Sequence, residues 1–117
     1  MAKSPIPYLQ HIRDAIETIN NYIGDYNFDQ FMSDQKTRDA VIRQLEIIGE
    51  AASKLESEVK KHSEIPWRDI SDFRNVLAHE YWDIDTEIVW KAATVEIQDL
   101  NNALEPILKS QSLRDSQ

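Results

Sequence analysis

The sequence predicts an all-α fold, an antiparallel bundle of four helices with a short polar break between the third and the fourth. Two glycines and four prolines in 117 residues are few, which favours long helices with short connections. Apolar residues recur at steps of three and four, the spacing of one helix face. The chain has no cysteine, so it has neither a disulfide framework nor a thiolate metal site. Its length is that of one ordinary domain, and we expect a single domain over residues 1–117 with a frayed tail at 110–117.

The first predicted helix follows two prolines near the start of the chain. Apolar residues recur from Leu9 to Ile23 at steps of three and four, which predicts an amphipathic helix of about five turns. Proline is tolerated at a helix start because the N–H that it lacks would be unpaired there. Glycine and an Asn-Phe-Asp stretch within residues 24–29 indicate the end of this helix. We expect the aromatic and apolar residues of the linker to pack on the bundle as a loop: Phe28, Phe31 and Met32.

The second predicted helix has Ser33 or Asp34 as its N-cap. Its apolar residues are spaced as a heptad seam, the pattern of helix packing in bundles: Val41, Leu45, Ile48, Ala52, Leu55 and Val59. Gly49 lies inside this helix, where glycine costs about 1 kcal/mol relative to alanine. A close crossing of another backbone would explain that glycine, and we expect one there.

The third and fourth helices are predicted on either side of the polar break. Pro66 lies near the start of the third helix, and Trp67 is expected to cover the core. Asp85 is the predicted N-cap of the fourth helix, and Pro106 is expected to kink or end it. The predicted apolar face of that helix consists of Ile88, Ala92, Val95, Leu100, Leu104, Ile107 and Leu108, flanked by Val89, Trp90 and Ile97.

Polar chemistry is concentrated where the third helix ends, in the pattern R-N-x-x-x-H-x-Y formed by Arg74, Asn75, His79 and Tyr81. On an unbroken helix the five steps from Arg74 to His79 give about 140° of rotation and about 7.5 Å of rise, so these two side chains would not share a face. His79 and Tyr81 are two residues apart, which is one face of an extended segment. We therefore expect the helix to end near Ala78 or His79. The imidazole and the phenol would then project the same way, with Arg74 reaching towards them or towards a partner chain.

Charge and composition argue against several classes of function. The formal net charge is −8, whereas tight, extended, sequence-independent DNA binding is usually driven by a basic surface and counterion release. No apolar run approaches the roughly 18 residues of a membrane span, and the N-terminus has no secretory pattern. We expect a cytoplasmic protein that does not contact a membrane.

Several motifs occur in a fixed order: Y-L-x-H-I-x-x-A-I at 8–16, D-A-V at 39–41, I-G-E-A-A at 48–52, I-P-W at 65–67, R-N-x-x-x-H-x-Y at 74–81 and I-D-x-x-x-V-W at 84–90. This set resembles the HepT-like ribonuclease toxins of the HEPN superfamily over nearly the whole chain. The resemblance implies a HEPN-like four-helix bundle that forms a homodimer, in which the R-x4-H motifs of two protomers make one composite site. It implies a metal-independent endoribonuclease toxin whose substrate is RNA, such as tRNA or mRNA. The implied partner is an MntA-type nucleotidyltransferase antitoxin that transfers AMP to the motif tyrosine.

The roles that the resemblance implies fall on four residues. Arg74 and His79 are the expected catalytic residues, Asn75 a supporting polar residue, and Tyr81 the expected acceptor of AMP. Histidine titrates near neutrality and can take either proton-transfer role, while arginine offers a planar fork to phosphate oxygens. One chain supplies a single motif histidine, whereas two chains supply a base, an acid and two cations. The scheme needs no metal and no cofactor.

The sequence departs from the family pattern at Asp72, where members commonly have glycine. A carboxylate there would orient Arg74 or partly neutralise it. Two other functions stay open: a non-catalytic HEPN binding module that docks a nucleotidyltransferase, and a structural helical dimer without a site, which a buried Arg74 and His79 far from a dyad would favour. In the plainer interpretation of Arg74 itself, its guanidinium pairs with Asp72 or Asp69. We interpret Glu46 and Glu50 as a polar face of the second helix that reaches towards the dimer cleft, since no E-x-x-H motif accompanies them.

Overall fold

The computed structural model describes residues 4–55, 64–80 and 83–115, and the regular elements in that part of the chain are all helices. The all-α prediction is confirmed. The predicted positions Val59 and Tyr81 lie outside the described residues. The helices are α1 (Ile6–Ile23), α2 (Phe28–Ser33), α3 (Gln35–Ser53), α4 (Trp67–Glu80), α5 (Thr86–Lys91), a π-helical segment (Ala92–Glu96) and α6 (Ile97–Asp115).

Helix α1 packs against α3 and α6, and α3 packs against α4, so α3 lies between α1 and the helix that carries the candidate site. The predicted apolar rows of α1 and α3 are buried, including Leu9, Ile16, Val41, Leu45 and Ile48. Among the described residues, no polar or charged residue is buried. None of the described helices is long and apolar enough to cross a membrane.

From the sequence we expected a loop after α1. The structure instead has the short helix α2 there. The side chain of Asn27 accepts a hydrogen bond from the Gln30 backbone N–H at 2.9 Å, and the Gln30 side chain accepts one from the Asn27 backbone N–H at 2.9 Å. This reciprocal capping box pairs two N–H groups that a helix start leaves free. Phe31 is fully buried, with its ring centroid 5.1 Å from that of Trp90. The prediction that Phe31 packs on the bundle is therefore correct, but its backbone is helical.

Asp34 is the N-cap of α3, which the sequence predicted to be either Ser33 or Asp34. Its carboxylate accepts hydrogen bonds from the Thr37 backbone N–H at 3.1 Å and from the Thr37 hydroxyl at 2.7 Å. The Tyr26 hydroxyl donates to the same carboxylate at 2.7 Å. The hydrogen bonds from Thr37 and then from Tyr26 lower the pKa of Asp34 from 3.8 to about 2. The hydrogen bond to this carboxylate raises the pKa of Tyr26.

The last long helix is continuous from Thr86 to Asp115, but its core-facing residues differ from the prediction. Asp85 caps it as predicted, accepting from the Glu87 N–H at 2.9 Å. Ile88 and Val95 are 49% and 50% exposed, while the predicted flanking residues Val89 and Ile97 are buried. For Val95 and Ile97 the cause is the π-helical segment, which turns less per residue than an α-helix and so changes which side chains after Ala92 meet the core.

The C-terminal half of this helix extends further than the sequence indicated. Pro106 lies inside α6 and does not end it. The helix continues to Asp115, so the tail that we expected to be frayed from Ser110 is helical through that residue.

Candidate active site

Helix α4 is held against α3 by a contact between Gly49 and Arg74. A Cβ at Gly49 would overlap with the Arg74 Cβ and would lie 3.2 Å from the Arg74 Cγ and from the Ile70 carbonyl oxygen. Only a residue without a side chain allows the two helices to approach this closely. The predicted close crossing at Gly49 is confirmed, and its partner is the predicted catalytic arginine.

The guanidinium of Arg74 lies between a carboxylate and an amide. Its Nε is 3.7 Å from Oε1 of Glu50, and its Nη1 is 3.5 Å from Oδ1 of Asn75. The side chain of Arg74 is 41% exposed, yet its Nε is buried and has no hydrogen-bond partner. The ends of the guanidinium therefore face outwards while Nε faces the protein.

The carboxylate near Arg74 is not the one that the sequence suggested. Asp72 lies 4.0 Å from Arg68 in an exposed i,i+4 pair, and no ion pair between Arg74 and Asp72 or Asp69 is present among the described residues. Arg74 instead pairs with Glu50, which lies 24 positions earlier in the chain. The pairing of Arg74 with Asp72 or Asp69, which the sequence left open, is therefore not the one that the described residues show.

His79 lies on α4, whose last residue is Glu80, so the helix continues slightly past the predicted exit. It is exposed, and within the described part of the chain no hydrogen bond or ion pair holds its imidazole. Because both residues are on one helix, His79 is turned about 140° from Arg74 and lies about 7.5 Å further along the axis. The structure therefore places Asn75 in contact with Arg74 and, one helical turn before His79, on the same face as that histidine, while His79 itself is turned away from Arg74.

Two further residues belong to this polar surface: Glu50, which the sequence placed on a polar face directed towards the dimer cleft but not beside Arg74, and Arg43, which the sequence did not single out. Arg43 Nη1 lies 3.3 Å from the Glu50 Oε1 that faces Arg74, and 3.5 Å from Oε2 of Glu46. One sequence signal could have identified Glu50: it directly follows Gly49, the residue expected at the helix crossing. Arg43 is seven positions before Glu50, about two helical turns, which puts both on one face of α3.

The site residues lie on open surface. A cleft of about 900 Å³ opens between α3, α4 and the last long helix, but Arg74, Asn75 and His79 do not line it. It is lined mainly by apolar residues, among them Leu45, Ile48, Ile70, Phe73, Ile97 and Leu100. Among the described residues, no group of three or more His, Cys, Asp or Glu is arranged to hold a metal ion.

Fold and site together define an all-α bundle protein that displays an arginine and a histidine five residues apart on one surface helix. Residues 12–107 match the family model described as "Ribonuclease HepT-like". The chain therefore belongs to the HepT-like ribonuclease family, as the sequence motifs indicated.

Curated relatives match along most of the chain. "Probable ribonuclease HepT" of Thermococcus cleftensis is 39% identical over 110 residues, which are 93% of this chain and 100% of that protein. A "Putative RNase" of Caldanaerobacter subterraneus subsp. tengcongensis is 36% identical over 93% of this chain and 98% of its own length. A "Putative RNase" of Methanocaldococcus jannaschii is 35% identical over 87% of this chain and 85% of its own. No solved structure gives a significant match.

Proposed function

We propose that this protein is a metal-independent endoribonuclease whose reaction centre is completed by two copies of the chain. Membership of the HepT-like ribonuclease family supports RNA as the substrate. The observation that carries the proposal is the exposed His79 on the same helix as Arg74, turned away from it and outside the cleft. Such a surface has the residues of half a reaction centre, and a second chain would supply the other half.

RNA cleavage without a metal requires two proton transfers and stabilisation of a phosphorane. In the proposed reaction, His79 of one protomer removes the proton from the ribose 2′-OH, and the 2′-oxygen attacks the adjacent phosphorus. The bond from phosphorus to the 5′-oxygen breaks, and protonated His79 of the partner subunit gives a proton to that oxygen. The products are a 2′,3′-cyclic phosphate and a free 5′-hydroxyl. Arg74 stabilises the charge on the phosphorane, and each proton-transfer role contributes roughly 100- to 10,000-fold in rate.

The first test measures cleavage of tRNA and total RNA by the purified chain and by His79→Ala. We expect the variant to lose cleavage while keeping its helix content by circular dichroism. His11→Ala is the matched control, because His11 is also exposed but lies on α1. Wild-type activity should persist in excess EDTA, and a strict need for a divalent ion would contradict this scheme. If the wild-type chain leaves RNA intact, the alternative of a non-catalytic binding module replaces the proposal.

The second test asks whether two copies share one site. Wild-type and His79→Ala chains are unfolded together, refolded at equal amounts and assayed. If both imidazoles of a homodimer are needed, random pairing leaves about a quarter of the wild-type activity, whereas independent chains would leave about half. The latter value would refute the composite site.

We further propose that the activity belongs to a toxin–antitoxin module and is silenced by a nucleotidyltransferase antitoxin. The phenol oxygen of Tyr81 would attack the α-phosphate of ATP, forming a tyrosyl-AMP and releasing pyrophosphate. A phosphate group near His79 would place negative charge where the substrate phosphate must bind. Mass spectrometry after incubation with a cognate nucleotidyltransferase and ATP should detect added AMP on Tyr81 and none in Tyr81→Phe. Modification confined to other residues would refute this assignment.

A further inference from the structure

Glu50 occupies a special position among the charged residues of α3, because a single one of its oxygens faces two arginines. Oε1 lies 3.3 Å from Arg43 Nη1 and 3.7 Å from Arg74 Nε. Glu46, one turn earlier, faces Arg43 alone in the described structure. The two carboxylates of this surface thus differ in what they contact, although they share a helix and a residue type.

The contact with Arg74 is made by the part of the guanidinium that points into the protein. Arg74 Nε is buried and has no hydrogen-bond acceptor, and a distance of 3.7 Å is within ion-pair range but beyond a hydrogen bond. A buried N–H without an acceptor is costly, so small movements that bring Glu50 within hydrogen-bond distance are favoured. Arg74 would then be held through Nε, and its outward-facing Nη groups, of which Nη1 also lies 3.5 Å from Asn75 Oδ1, would still have N–H donors for a phosphate.

Gly49 fixes the other end of the same side chain. The Arg74 Cβ lies directly over Gly49, where the two helix backbones cross. Two adjacent residues of α3 therefore hold the Arg74 side chain, Gly49 at its Cβ and Glu50 at its guanidinium. A long flexible side chain normally loses considerable rotamer entropy when it binds a ligand, and prior fixation reduces that loss.

The contact between Arg43 and Glu50 determines how strongly the Glu50 carboxylate neutralises the charge of Arg74. A carboxylate paired with Arg74 alone would cancel its charge and weaken its attraction to phosphate. The same oxygen also faces Arg43, so its negative charge is divided between two guanidinium groups. Arg74 then keeps positive potential on its outward side.

We propose that Glu50 is the positioning residue of Arg74: its carboxylate sets the orientation in which the guanidinium meets the scissile phosphate. This inference rests on the proposed ribonuclease function. It assigns no contact with RNA to Glu50 itself. A misplacement of about 1 Å in a group that contacts the reacting atoms can lower the rate roughly 100-fold, so the effect on catalysis should be large.

The experiment compares Glu50→Ala, Glu50→Gln and the matched control Glu46→Gln in the full chain, with kcat and KM measured on one RNA substrate. We expect Glu50→Ala to lower kcat roughly 10- to 100-fold, with a smaller change in KM. Glu50→Gln keeps an oxygen that can accept from Nε, so it should recover much of the lost rate. Glu46→Gln should stay within about twofold of wild type, since Glu46 does not contact Arg74.

A second readout does not depend on catalysis. The Nε–H signal of Arg74 in ¹⁵N-resolved NMR spectra should exchange slowly with water in the wild-type chain and fast in Glu50→Ala. A wild-type chain that does not cleave RNA would overturn the proposed function. A wild-type chain that cleaves while Glu50→Ala is equally active, with an unchanged Arg74 Nε–H signal, would overturn the positioning role. A Glu50→Ala variant faster than wild type would also overturn it, because the carboxylate would then be neutralising Arg74.

Discussion

Replacement of Gly49 by alanine tests whether the crossing of α3 and α4 holds the candidate site together. The added Cβ would overlap with the Arg74 Cβ and lie 3.2 Å from the Ile70 carbonyl oxygen. Both atoms are part of, or directly attached to, the backbone of α4, so neither can move away by a change of rotamer. The whole of α4 would have to shift, and the Arg74 guanidinium would shift with it.

The size of the effect depends on two opposing contributions. Overpacking of this kind costs about 1–3 kcal/mol, while alanine in place of glycine inside a helix stabilises it by about 1 kcal/mol. Because the overlap is with fixed atoms, we expect the upper part of the first range and a net loss of about 1–2 kcal/mol in the free energy of unfolding. For a chain of this size that corresponds to a fall in Tm of roughly 3–10 °C.

The assay is thermal unfolding followed by circular dichroism at a fixed protein concentration, with RNA cleavage measured on the same samples. Arg74→Gly provides the matched background, since it removes the Cβ that the new methyl group would meet. In that background the loss caused by Gly49→Ala should shrink by at least about 1 kcal/mol. A higher Tm for Gly49→Ala in the wild-type background would refute the steric argument, because it would leave helix propensity as the dominant contribution.

Three further predictions concern the fold. Phe31→Ala, which empties a fully buried position against Trp90, should lower the free energy of unfolding by about 3–5 kcal/mol in urea titrations. Pro106→Ala should raise Tm, because an exposed proline inside α6 lacks a hydrogen-bond donor, and its replacement stabilises a helix by up to about 3 kcal/mol. The pKa of Asp34 lies at about 2 in the folded chain, below its ordinary 3.8, so the unfolded chain binds more protons in that window. The stability from Asp34 is therefore present above about pH 4 and is lost as pH falls through about 2. Asp34→Asn, which keeps the cap to Thr37 but does not titrate, should flatten that part of the stability curve.

Each of these predictions has a clear contrary result. A loss below about 1 kcal/mol for Phe31→Ala would mean that α2 contributes little to the core. An unchanged or lower Tm for Pro106→Ala would show that α6 depends on the proline. An acid limb identical in wild type and Asp34→Asn would show that other carboxylates control stability at low pH.

The sequence predicted those parts of the fold that have regular spacing or a specific cap. Short sequence patterns predicted three features that the structure has: the buried apolar rows of α1 and α3, the N-cap at Asp34 and the close helix crossing at Gly49. Helix α2 was not predicted, because six residues are too few to show a helical period, although Asn27 and Gln30 form a capping-box pattern. The core-facing residues of the last helix after Ala92 were not predicted correctly. The predicted face jumps five residues from Val95 to Leu100, and periodicity alone does not reveal a π turn there.

The motif spacing selected the candidate residues, but it could not give their contacts. The motif identified Arg74, Asn75 and His79 because they are close in sequence. For the same reason it suggested the nearby Asp72 and Asp69 as partners of Arg74. The partner found in the structure, Glu50, comes from another helix, and only the packing of α3 on α4 brings it near. Spacing along one helix cannot give a contact that depends on how two helices cross.

The π-helical segment at Ala92–Glu96 has a consequence for the evolution of this chain. A π turn is an α-helix that has taken in one additional residue without rotating the rest of the helix. The Gln98 amide lies 3.4 Å from the Ala93 carbonyl, where the regular ladder is interrupted, and 2.7 Å from the side-chain oxygen of Asn20 on α1. Loss of one outward-facing residue such as Val95 would restore an ordinary α-helix and leave Leu100 and Leu104 directed at their present neighbours. Elsewhere in the same helix, loss of a residue would rotate the remainder by about 100°. Natural variation in the length of this helix should therefore concentrate between Ala92 and Glu96.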